Sequence, residues 1–326
     1  MNFDILISGA GPAGLCLARA LSGRGLRIAL VEQQPQAAIE QPAFDGREIA
    51  LTQHSMQLMR RLGLWERIED FAPNGLSPLR DARILNGASP FAMVIGHGLT
   101  SYDELGWLVS NCLIRRAAYE TMQAAAQANG DITLLAGETV ASVRTDDNGA
   151  HVTLASGAQL HARLLVAADS RFSATRRAMG IAAEMHDFGQ TMLVCMVTHE
   201  VAHEHAAWEW FDYGQTLALL PMNDDLATGA HRSSVVLTLA HQAIEPLLTL
   251  EAGAFGQNLT RRFAGRLGAM LLASTRHAYP LVGVYPRRLV ARRFACVGDA
   301  AVGMHPVTAH GFNFGLLSID ALAQAV

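Results

Sequence analysis

The sequence contains no lysine, since all 25 of its basic residues are arginines. This absence excludes chemistry that depends on a lysine amine, such as Walker-A phosphate binding, Schiff bases and Ser-Lys dyads. The 29 acidic residues give a formal net charge of −4, which argues against a general nucleic-acid binder. Half of the 326 residues are hydrophobic and 17% are charged, which excludes a disordered chain. We therefore expect an enzyme that does not depend on lysine.

Cysteine is also sparse, and Cys16, Cys112, Cys195 and Cys296 include no C-x-x-C pair. We therefore expect no metal site and no dithiol redox centre. We expect the four cysteines to be buried, reduced thiols in a reducing compartment, the cytoplasm. The first residues lack the basic and apolar regions of a secretory leader. No uninterrupted apolar run reaches roughly 18 residues, so no transmembrane segment is expected.

A glycine-rich motif follows the first apolar segment, and Gly9–Gly14 matches G-x-G-x-x-G between a predicted strand and a predicted helix. Such glycines permit a tight turn, let a pyrophosphate approach the backbone and let the helix pack on the strand. The free N–H groups of the helix N-terminus then attract phosphate. Glu32 follows the second strand, where a carboxylate can accept hydrogen bonds from a ribose. The predicted dinucleotide-binding residues are Gly9, Gly11, Pro12, Ala13, Gly14 and Glu32; the alternative is a merely structural turn.

The other end of the chain indicates which dinucleotide is bound. A Gly-Asp-Ala triplet at 298–300 follows an apolar strand, then come His305-Pro306 and a G-x-N motif at 311–313. In these motifs and their spacing the chain resembles the class A flavoprotein hydroxylases, particularly the ubiquinone-ring hydroxylases of the demethoxyubiquinol type. The resemblance extends over nearly the whole chain and includes the segments 45–51 and 105–116. A second G-x-G-x-x-G is absent, which argues against separate FAD and NADPH domains.

The resemblance implies non-covalent FAD, NAD(P)H as the reducing co-substrate, O₂, and a prenylated phenol or quinol whose aromatic ring is hydroxylated. Other proteins of ubiquinone biosynthesis and the inner-membrane surface are implied partners. No metal is implied. Pro306 at the flavin edge and His310 beside it are the catalytic candidates. The further cofactor-binding residues that the resemblance implies are Arg47, Asn111, Arg115, Asp169, Asp299, Gly311, Phe312 and Asn313.

The predicted fold is α/β, with a Rossmann-like FAD-binding domain of the glutathione-reductase type and an antiparallel-sheet substrate domain. We expect the FAD-binding domain to be discontinuous, formed by 1–175 and 281–326, and the substrate domain to span 176–280. Locally, three short segments between 131 and 157 are predicted to form a small antiparallel ribbon. Residues from about 246 to 273 are predicted to be helical.

Two departures from the family leave alternatives open. Ser170 follows Asp169 where the family has glycine, and serine adopts positive φ less readily, which questions the loop geometry and reductant binding. The family also continues for several helices beyond its G-x-N motif, whereas this sequence ends at Val326, so a C-terminal region is absent or the sequence is a fragment. The alternatives are another flavin enzyme of this fold, such as a prenyl-chain reductase or an oxidase, and a non-catalytic flavoprotein subunit of a quinone-biosynthesis complex.

Two further motifs are interpreted as coincidences. Residues 199–203 spell H-E-x-x-H, but they continue a β-rich segment rather than a helix, so we expect a solvated strand edge with its loop and no zinc. Trp208 and Trp210 form the W-x-W of flavin-dependent halogenases, but those enzymes need a lysine that this chain lacks. We interpret both tryptophans as sheet or pocket-wall residues.

Overall fold

A computed structural model of the chain describes residues 2–305 and 310–326 and assembles most of them into two large sheets flanked by helices. The strands are β1 (Asn2–Ser8), β2 (Ile28–Glu32), β3 (Glu48–Thr52), β4 (Leu76–Leu79), β5 (Asp81–Asn86), β6 (Ala92–Gly96), β7 (Gly106–Ser110), β8 (Ile132–Ala136), β9 (Val140–Thr145), β10 (Ala150–Leu154), β11 (Gln159–Ala167), β12 (Ala183–His199), β13 (Ala206–Asp212), β14 (Gln215–Met222), β15 (His231–Ala240), β16 (Met270–Leu272), β17 (His277–Pro286), β18 (Val290–Ala291) and β19 (Phe294–Cys296). The α-helices are α1 (Pro12–Leu21), α2 (Gln36–Glu40), α3 (Gln53–Leu62), α4 (Leu64–Phe71), α5 (Asn111–Asn129), α6 (Ala174–Ala178), α7 (His241–Thr249), α8 (Ala252–Arg262) and α9 (His310–Ala325).

The first sheet is centred on β1, and its strand order is β18-β19-β11-β1-β2-β8. The pairs β1–β2, β1–β11, β2–β8 and β11–β19 are all parallel. Alternate residues of β1 are buried on opposite faces, with Ile5 and Ile7 in one core cluster and Leu6 in another. Burial on both faces is typical of parallel sheets covered by helices, and it confirms the predicted α/β fold.

The predicted antiparallel ribbon is only partly correct. β9 and β10 pair antiparallel and join β11, as expected. β8, however, pairs in parallel with β2 at the sheet edge. The physical reason is that the long helix α5 carries the chain back before β8, so β8 enters the sheet in the same direction as β2.

The second sheet has the strand order β16-β12-β15-β14-β13-β5-β6, with β17 also paired to β12. All of its pairs are antiparallel except β13–β5. One face packs against α7 and α8, where Phe255 and Leu259 lie in the same core cluster as Trp208 and Trp210. The prediction that both tryptophans are sheet residues is confirmed.

The predicted domain boundaries stay a prediction, but the second sheet draws strands from both sides of them. β5 and β6 belong to this sheet, although we assigned residues 81–96 to the FAD-binding domain. The reason is the parallel pairing of β5 with β13, from Asp81↔Ala206 to Asn86↔Phe211. Backbone pairing with such a distant segment leaves no local pattern in the sequence.

The predicted helix from about 246 to 273 is replaced by three elements, α7, α8 and β16. Leu250 is extended between the two helices, and the side chain of Glu251 caps α8 by accepting a hydrogen bond from the Gly253 N–H. In the part of the chain that the structure describes, no helix is long and apolar enough to cross a membrane.

Candidate active site

The loop between β1 and α1 has the close contacts that its glycines predict. Gly9 has φ +105°, in the region that favours glycine, and a Cβ there would lie 2.6 Å from the Ala168 carbonyl oxygen. A Cβ on Gly14 would lie 1.9 Å from the Gly9 carbonyl oxygen, so α1 can approach the loop only with glycine at this position. At Gly11 a Cβ would meet nothing within 4 Å, which leaves open space in front of the helix N-terminus. Together these features form a cradle for a pyrophosphate.

Glu32 lies beside this cradle, at the end of β2. One carboxylate oxygen accepts a hydrogen bond of 2.7 Å from the Ala10 N–H, and the other accepts one of 2.9 Å from the Gln34 N–H. These bonds fix the carboxylate at the cavity wall, where its remaining lone pairs can accept hydrogen bonds from ribose hydroxyls. Arg115 also lines this end of the cavity and its guanidinium lies 3.5 Å from the Gln34 side-chain oxygen.

Arg47 is held by a network around Asp45. The Asp45 carboxylate accepts hydrogen bonds from the Arg47 Nη2 at 2.5 Å and from the Asn111 Nδ2 at 2.7 Å. Burial acts to raise the pKa of Asp45, but the hydrogen bonds and charge of Arg47, with help from Asn111, hold that pKa below its ordinary value. The Arg47 guanidinium also lies 5.5 Å from the ring centroid of Tyr279. Both Arg47 and Asn111 line the cavity, which places a fixed positive charge beside the pyrophosphate cradle.

Asp169 follows β11 on the opposite side of the cradle. One of its carboxylate oxygens accepts hydrogen bonds from the Thr175 N–H and hydroxyl, both at 3.2 Å. The other oxygen, Oδ1, is buried and has no hydrogen-bond partner in the described part of the chain. Because Asp169 lines the cavity, this oxygen offers an acceptor to a bound ligand.

The serine that follows Asp169 does not require strained backbone. Among the described residues other than glycine, positive φ occurs at Glu204, His205, Ala264 and Arg293, and not at Ser170. Ser170 therefore adopts a φ that serine tolerates, because this position does not lie in the left-handed region that would favour glycine.

Asp299 lies in a 3₁₀ turn that follows β19, and its half-exposed carboxylate lies 3.5 Å from the Arg171 guanidinium. The turn is pressed against α1, since a Cβ on Gly298 would lie 2.7 Å from the Ala13 Cβ. The buried guanidinium of Arg176 donates hydrogen bonds to the carbonyl oxygens of Ala300 at 2.9 Å and Arg171 at 3.1 Å. Arg176 thus holds the Asp299 turn in a fixed position relative to the loop that follows Asp169.

The start of α9 contributes Gly311 and Phe312, two of the predicted cofactor-binding residues, to the cavity wall. The side chain of Asn313, the third predicted residue here, bonds to β3. Its side-chain oxygen accepts a hydrogen bond of 3.1 Å from the Thr52 N–H, and its amide donates one of 2.9 Å to the Ala50 carbonyl. The Asn313 side chain therefore fastens α9 to β3 and positions the helix N-terminus, whose first N–H groups lack intrahelical partners.

Of the two catalytic candidates, the structure describes His310, which is not among the described residues that line the cavity. Pro306 lies outside the described residues. His310 is exposed, and its ring stacks on Phe314 with a centroid separation of 5.2 Å. His305, Gly311 and Phe312 are among the described residues that line the cavity.

These elements surround one continuous cavity of about 890 Å³. One end of the cavity is lined by the phosphate loop and Glu32, and its middle is lined by Arg47, Asp169 and Asp299. Its other end is lined by the second sheet, on the face that is turned away from α7 and α8. The open cradle at Gly11 and the unpaired buried oxygen of Asp169 both fit an elongated dinucleotide. The residues present therefore fit FAD.

Three acidic side chains that we did not predict also line the cavity: Glu48 on β3, Glu138 between β8 and β9, and Glu209 on β13. Burial raises the pKa of Glu48 to about 8 and that of Glu209 to about 7. The alternation of β13 could have identified Glu209, because a residue between two buried tryptophans must point to the other face of the sheet. Glu48 directly follows Arg47 within the segment 45–51, but nothing local predicts its burial.

The H-E-x-x-H segment does not form a metal site in the described part of the chain, and the prediction of a solvated strand edge is wrong. His199 and His203 are 5% and 6% exposed. The His199 ring bonds to the Ser233 hydroxyl and the Val201 carbonyl, both at 2.9 Å. The His203 ring bonds to the Met222 carbonyl at 2.9 Å and accepts from the His205 N–H at 3.0 Å. Burial lowers the pKa of His199 to about 4 and also lowers the pKa of His203, which favours the neutral form of both core histidines.

Comparisons with known proteins agree with this geometry. The family model described as FAD binding domain matches residues 2–325. The chain is 44% identical over 330 residues to the ubiquinone hydroxylase UbiM of Neisseria meningitidis serogroup C, covering 100% of this chain and 69% of that protein. It is 34% identical to the ubiquinone hydroxylase UbiL of Rhodospirillum rubrum, covering 98% of this chain and 71% of that protein.

A solved structure of Pseudomonas aeruginosa PqsL in complex with 2-aminobenzoylacetate has the same fold, with a TM-score of 0.81 at 21% identity over 100% of this chain and 86% of that chain. The family that the two end motifs predict is thus confirmed. The chain belongs to the FAD binding domain family, and FAD is its cofactor.

Proposed function

We propose that this chain is an FAD-dependent monooxygenase that hydroxylates the aromatic ring of a prenylated phenol or quinol, a ubiquinone precursor, using NAD(P)H and O₂. The observation that carries the proposal is the continuity of the cavity from the phosphate loop to the second sheet. Its far wall is lined by apolar side chains, namely Met192, Val194, Ala218, Leu220 and Val236. An aromatic ring with an apolar chain fits such a wall, and the two relatives named as ubiquinone hydroxylases support this class of substrate.

Bound FAD supplies the hydride acceptance and O₂ activation for which side chains have no equivalent. The chain's own residues bind and orient it. The loop at Gly9–Gly14 and the positive charge of Arg47 hold the pyrophosphate, while Glu32 and Asp299 accept hydrogen bonds from ribose and ribityl hydroxyls. The N–H groups at the start of α9 would stabilise negative charge on the flavin ring, and the apolar sheet wall would exclude water from the reacting atoms.

The experiment that tests this function is an oxygen-labelling assay on the FAD-loaded protein, with NAD(P)H, ¹⁸O₂ and a short-chain 2-prenylphenol. We expect a ring-hydroxylated product that carries one labelled oxygen, and NAD(P)H oxidation that the phenol stimulates. A reduced prenyl chain, or an oxidised ring without label, would identify the reductase or oxidase alternative. Retained FAD with no phenol-stimulated oxidation of NAD(P)H would identify a non-catalytic subunit.

The place of the reaction is a further part of the proposal: a cytoplasmic chain that meets the inner-membrane surface, together with other ubiquinone-biosynthesis proteins. Exposed apolar side chains on and around the edge strand β6 support it, with Phe91 83%, Met93 58% and Leu99 80% exposed. Co-sedimentation with vesicles of anionic phospholipid should be lost in a Phe91→Ser, Leu99→Ser variant. Equal sedimentation of both proteins would contradict this attachment.

A further inference from the structure

Glu209 is the titratable side chain that the second sheet contributes to the cavity. Of the described residues from this sheet that line the cavity wall, the others are uncharged: Gln190, Met192, Val194, Phe211, Thr216, Ala218, Leu220, Val236 and Thr238. The opposite wall carries the FAD-binding residues. Glu209 thus faces the space between cofactor and sheet, where a substrate ring must lie.

The direction of the Glu209 side chain follows from the alternation of β13. Trp208 and Trp210 are buried in the core beneath α7 and α8, so Glu209 points to the opposite face. Its partners on the two flanking strands are both apolar, Ala218 on β14 and Ile84 on β5. Phe211, two residues further along, lines the same cavity.

No hydrogen bond or ion pair engages the Glu209 carboxyl in the described part of the chain. The flanking strand β14 carries no titratable side chain. On the other flanking strand, β5, Asp81 and Arg83 pair with Ala206 and Trp208 and so point to the opposite face. Across the cavity the charged lining groups belong to the FAD-binding wall, namely Glu32, Arg47, Glu48, Arg115, Glu138, Asp169, Arg171, Asp299 and His305. The hydrogen-bonding capacity of Glu209 is therefore directed at the cavity.

We propose that Glu209 is a catalytic residue that hydrogen-bonds the hydroxyl of the aromatic substrate and accepts its proton, an inference that rests on the proposed hydroxylase function. The O–H bond of the substrate breaks, its electron pair stays on the ring oxygen as a phenolate, and the proton forms an O–H bond on the carboxylate. The phenolate makes the ring carbons more nucleophilic toward the activated oxygen. As the hydroxylated ring carbon then loses its hydrogen as a proton to solvent, Glu209 returns its proton to the ring oxygen.

The environment suits this role. Burial raises the pKa of Glu209 to about 7, and a general base acts best when its pKa lies near the operating pH. A carboxylate with an ordinary pKa would be a much weaker base toward a phenol, whose pKa is about 10 by analogy with tyrosine.

The test uses FAD-loaded protein with a short-chain 2-prenylphenol and measures labelled product from pH 5.5 to 9. We expect Glu209→Gln to lower kcat by about a hundredfold or more, the usual contribution of general acid–base catalysis. The rise of rate through neutral pH should disappear in this variant, while FAD affinity and absorbance stay unchanged. Glu209→Asp should keep that rise with a smaller rate loss. Glu184→Gln, the same change at an exposed position of this sheet, is the matched control and should behave as wild type.

A Glu209→Gln protein with wild-type rate and pH profile would overturn the proposal. So would a Glu48→Gln variant that alone loses the rise, because the base would then be Glu48. A binding measurement separates this failure from failure of the proposed function. Even if wild-type protein forms no labelled product, titration of the flavin absorbance should show that Glu209→Leu binds the phenol about tenfold more weakly, but binds its O-methyl ether equally well. Equal weakening of both ligands, or of neither, would also refute the contact.

Discussion

Replacing the buried acid Glu48 with glutamine should stabilise the protein at alkaline pH and not at acidic pH. Glu48 lines the cavity from β3, and its Oε1 is buried without a hydrogen-bond partner in the described part of the chain. Burial is the main cause that raises its pKa to about 8 from an ordinary 4.5, with a smaller contribution from the charge of Asp45. Between these two pH values the unfolded chain has lost this proton and the folded protein retains it.

The sign and size follow from this difference. Because the folded state binds more protons in that window, the free energy of unfolding falls as pH rises. Each pH unit in the window costs about 1.4 kcal/mol, so the rise from about pH 5 to about pH 8 costs up to about 4 kcal/mol. Glutamine has no such proton to lose. Glu48→Gln should therefore melt roughly 8 °C above wild type near pH 8, at about 2 °C per kcal/mol, and close to it near pH 5.

The assay is a pair of thermal melts across this pH range, with the same excess of FAD for both proteins so that ligand stabilisation is matched. Other titrating groups, including Glu209 and His199, are common to both proteins and cancel in the difference. Glu184→Gln, at an exposed site, should give a difference that does not change with pH. A Tm difference between wild type and Glu48→Gln that is equal at both ends of the range would refute the reasoning.

Gly14→Ala should lower the affinity for FAD by roughly a hundredfold or more, because the added Cβ would lie 1.9 Å from the Gly9 carbonyl oxygen. Titration of the apo-protein with FAD measures this affinity. Asp299→Ala should weaken FAD by about tenfold with little change in Tm, and a lower Tm with wild-type affinity would make Asp299 a scaffold residue. Acid precipitation should release the yellow colour into the supernatant, since FAD is expected to be non-covalent, whereas a coloured pellet would contradict this. His199→Ala should lower the free energy of unfolding by about 1–3 kcal/mol, because it leaves the buried Ser233 hydroxyl unpaired, without changing zinc content by elemental analysis.

The nucleotide end of the site is predictable from sequence because its geometry is local. Gly9, Gly11 and Gly14 lie in one short loop. The succession of a strand, this loop and a helix is enough to predict the conformation of the loop from the sequence. Glu32 lies at the end of the next strand, where parallel pairing of β1 and β2 must bring it. The Asp299 turn is likewise found through a motif that follows its own strand. Each of these predictions depends on contacts over a few residues or on one β-α-β unit.

The substrate end of the site is not predictable in this way, because its geometry comes from distant pairing. β5 reaches the second sheet only through its hydrogen bonds with β13, more than a hundred residues later. The G-x-N motif predicts that N–H groups at 311–313 contact the cofactor, but it does not predict that the side-chain amide of Asn313 bonds to β3, 261 residues away. A motif identifies which residue types the site needs, but it does not say whether a side chain or its backbone meets the ligand.

The burial of the histidine segment 199–203 is also not predictable from its local sequence. The β context of 199–203 predicts a strand rather than a helix, and β12 extends to His199, but that context does not predict burial. Burial arises because β15 lies beside β12 and places Ser233 against His199, and because carbonyl groups from β14 and β15 converge on His203. The two histidines, with all ring nitrogens engaged and pKa values lowered by burial, stabilise the strand end. Burial has the opposite effect on the cavity acids Glu48 and Glu209, because it raises their pKa values into the range where protonation can change during the reaction.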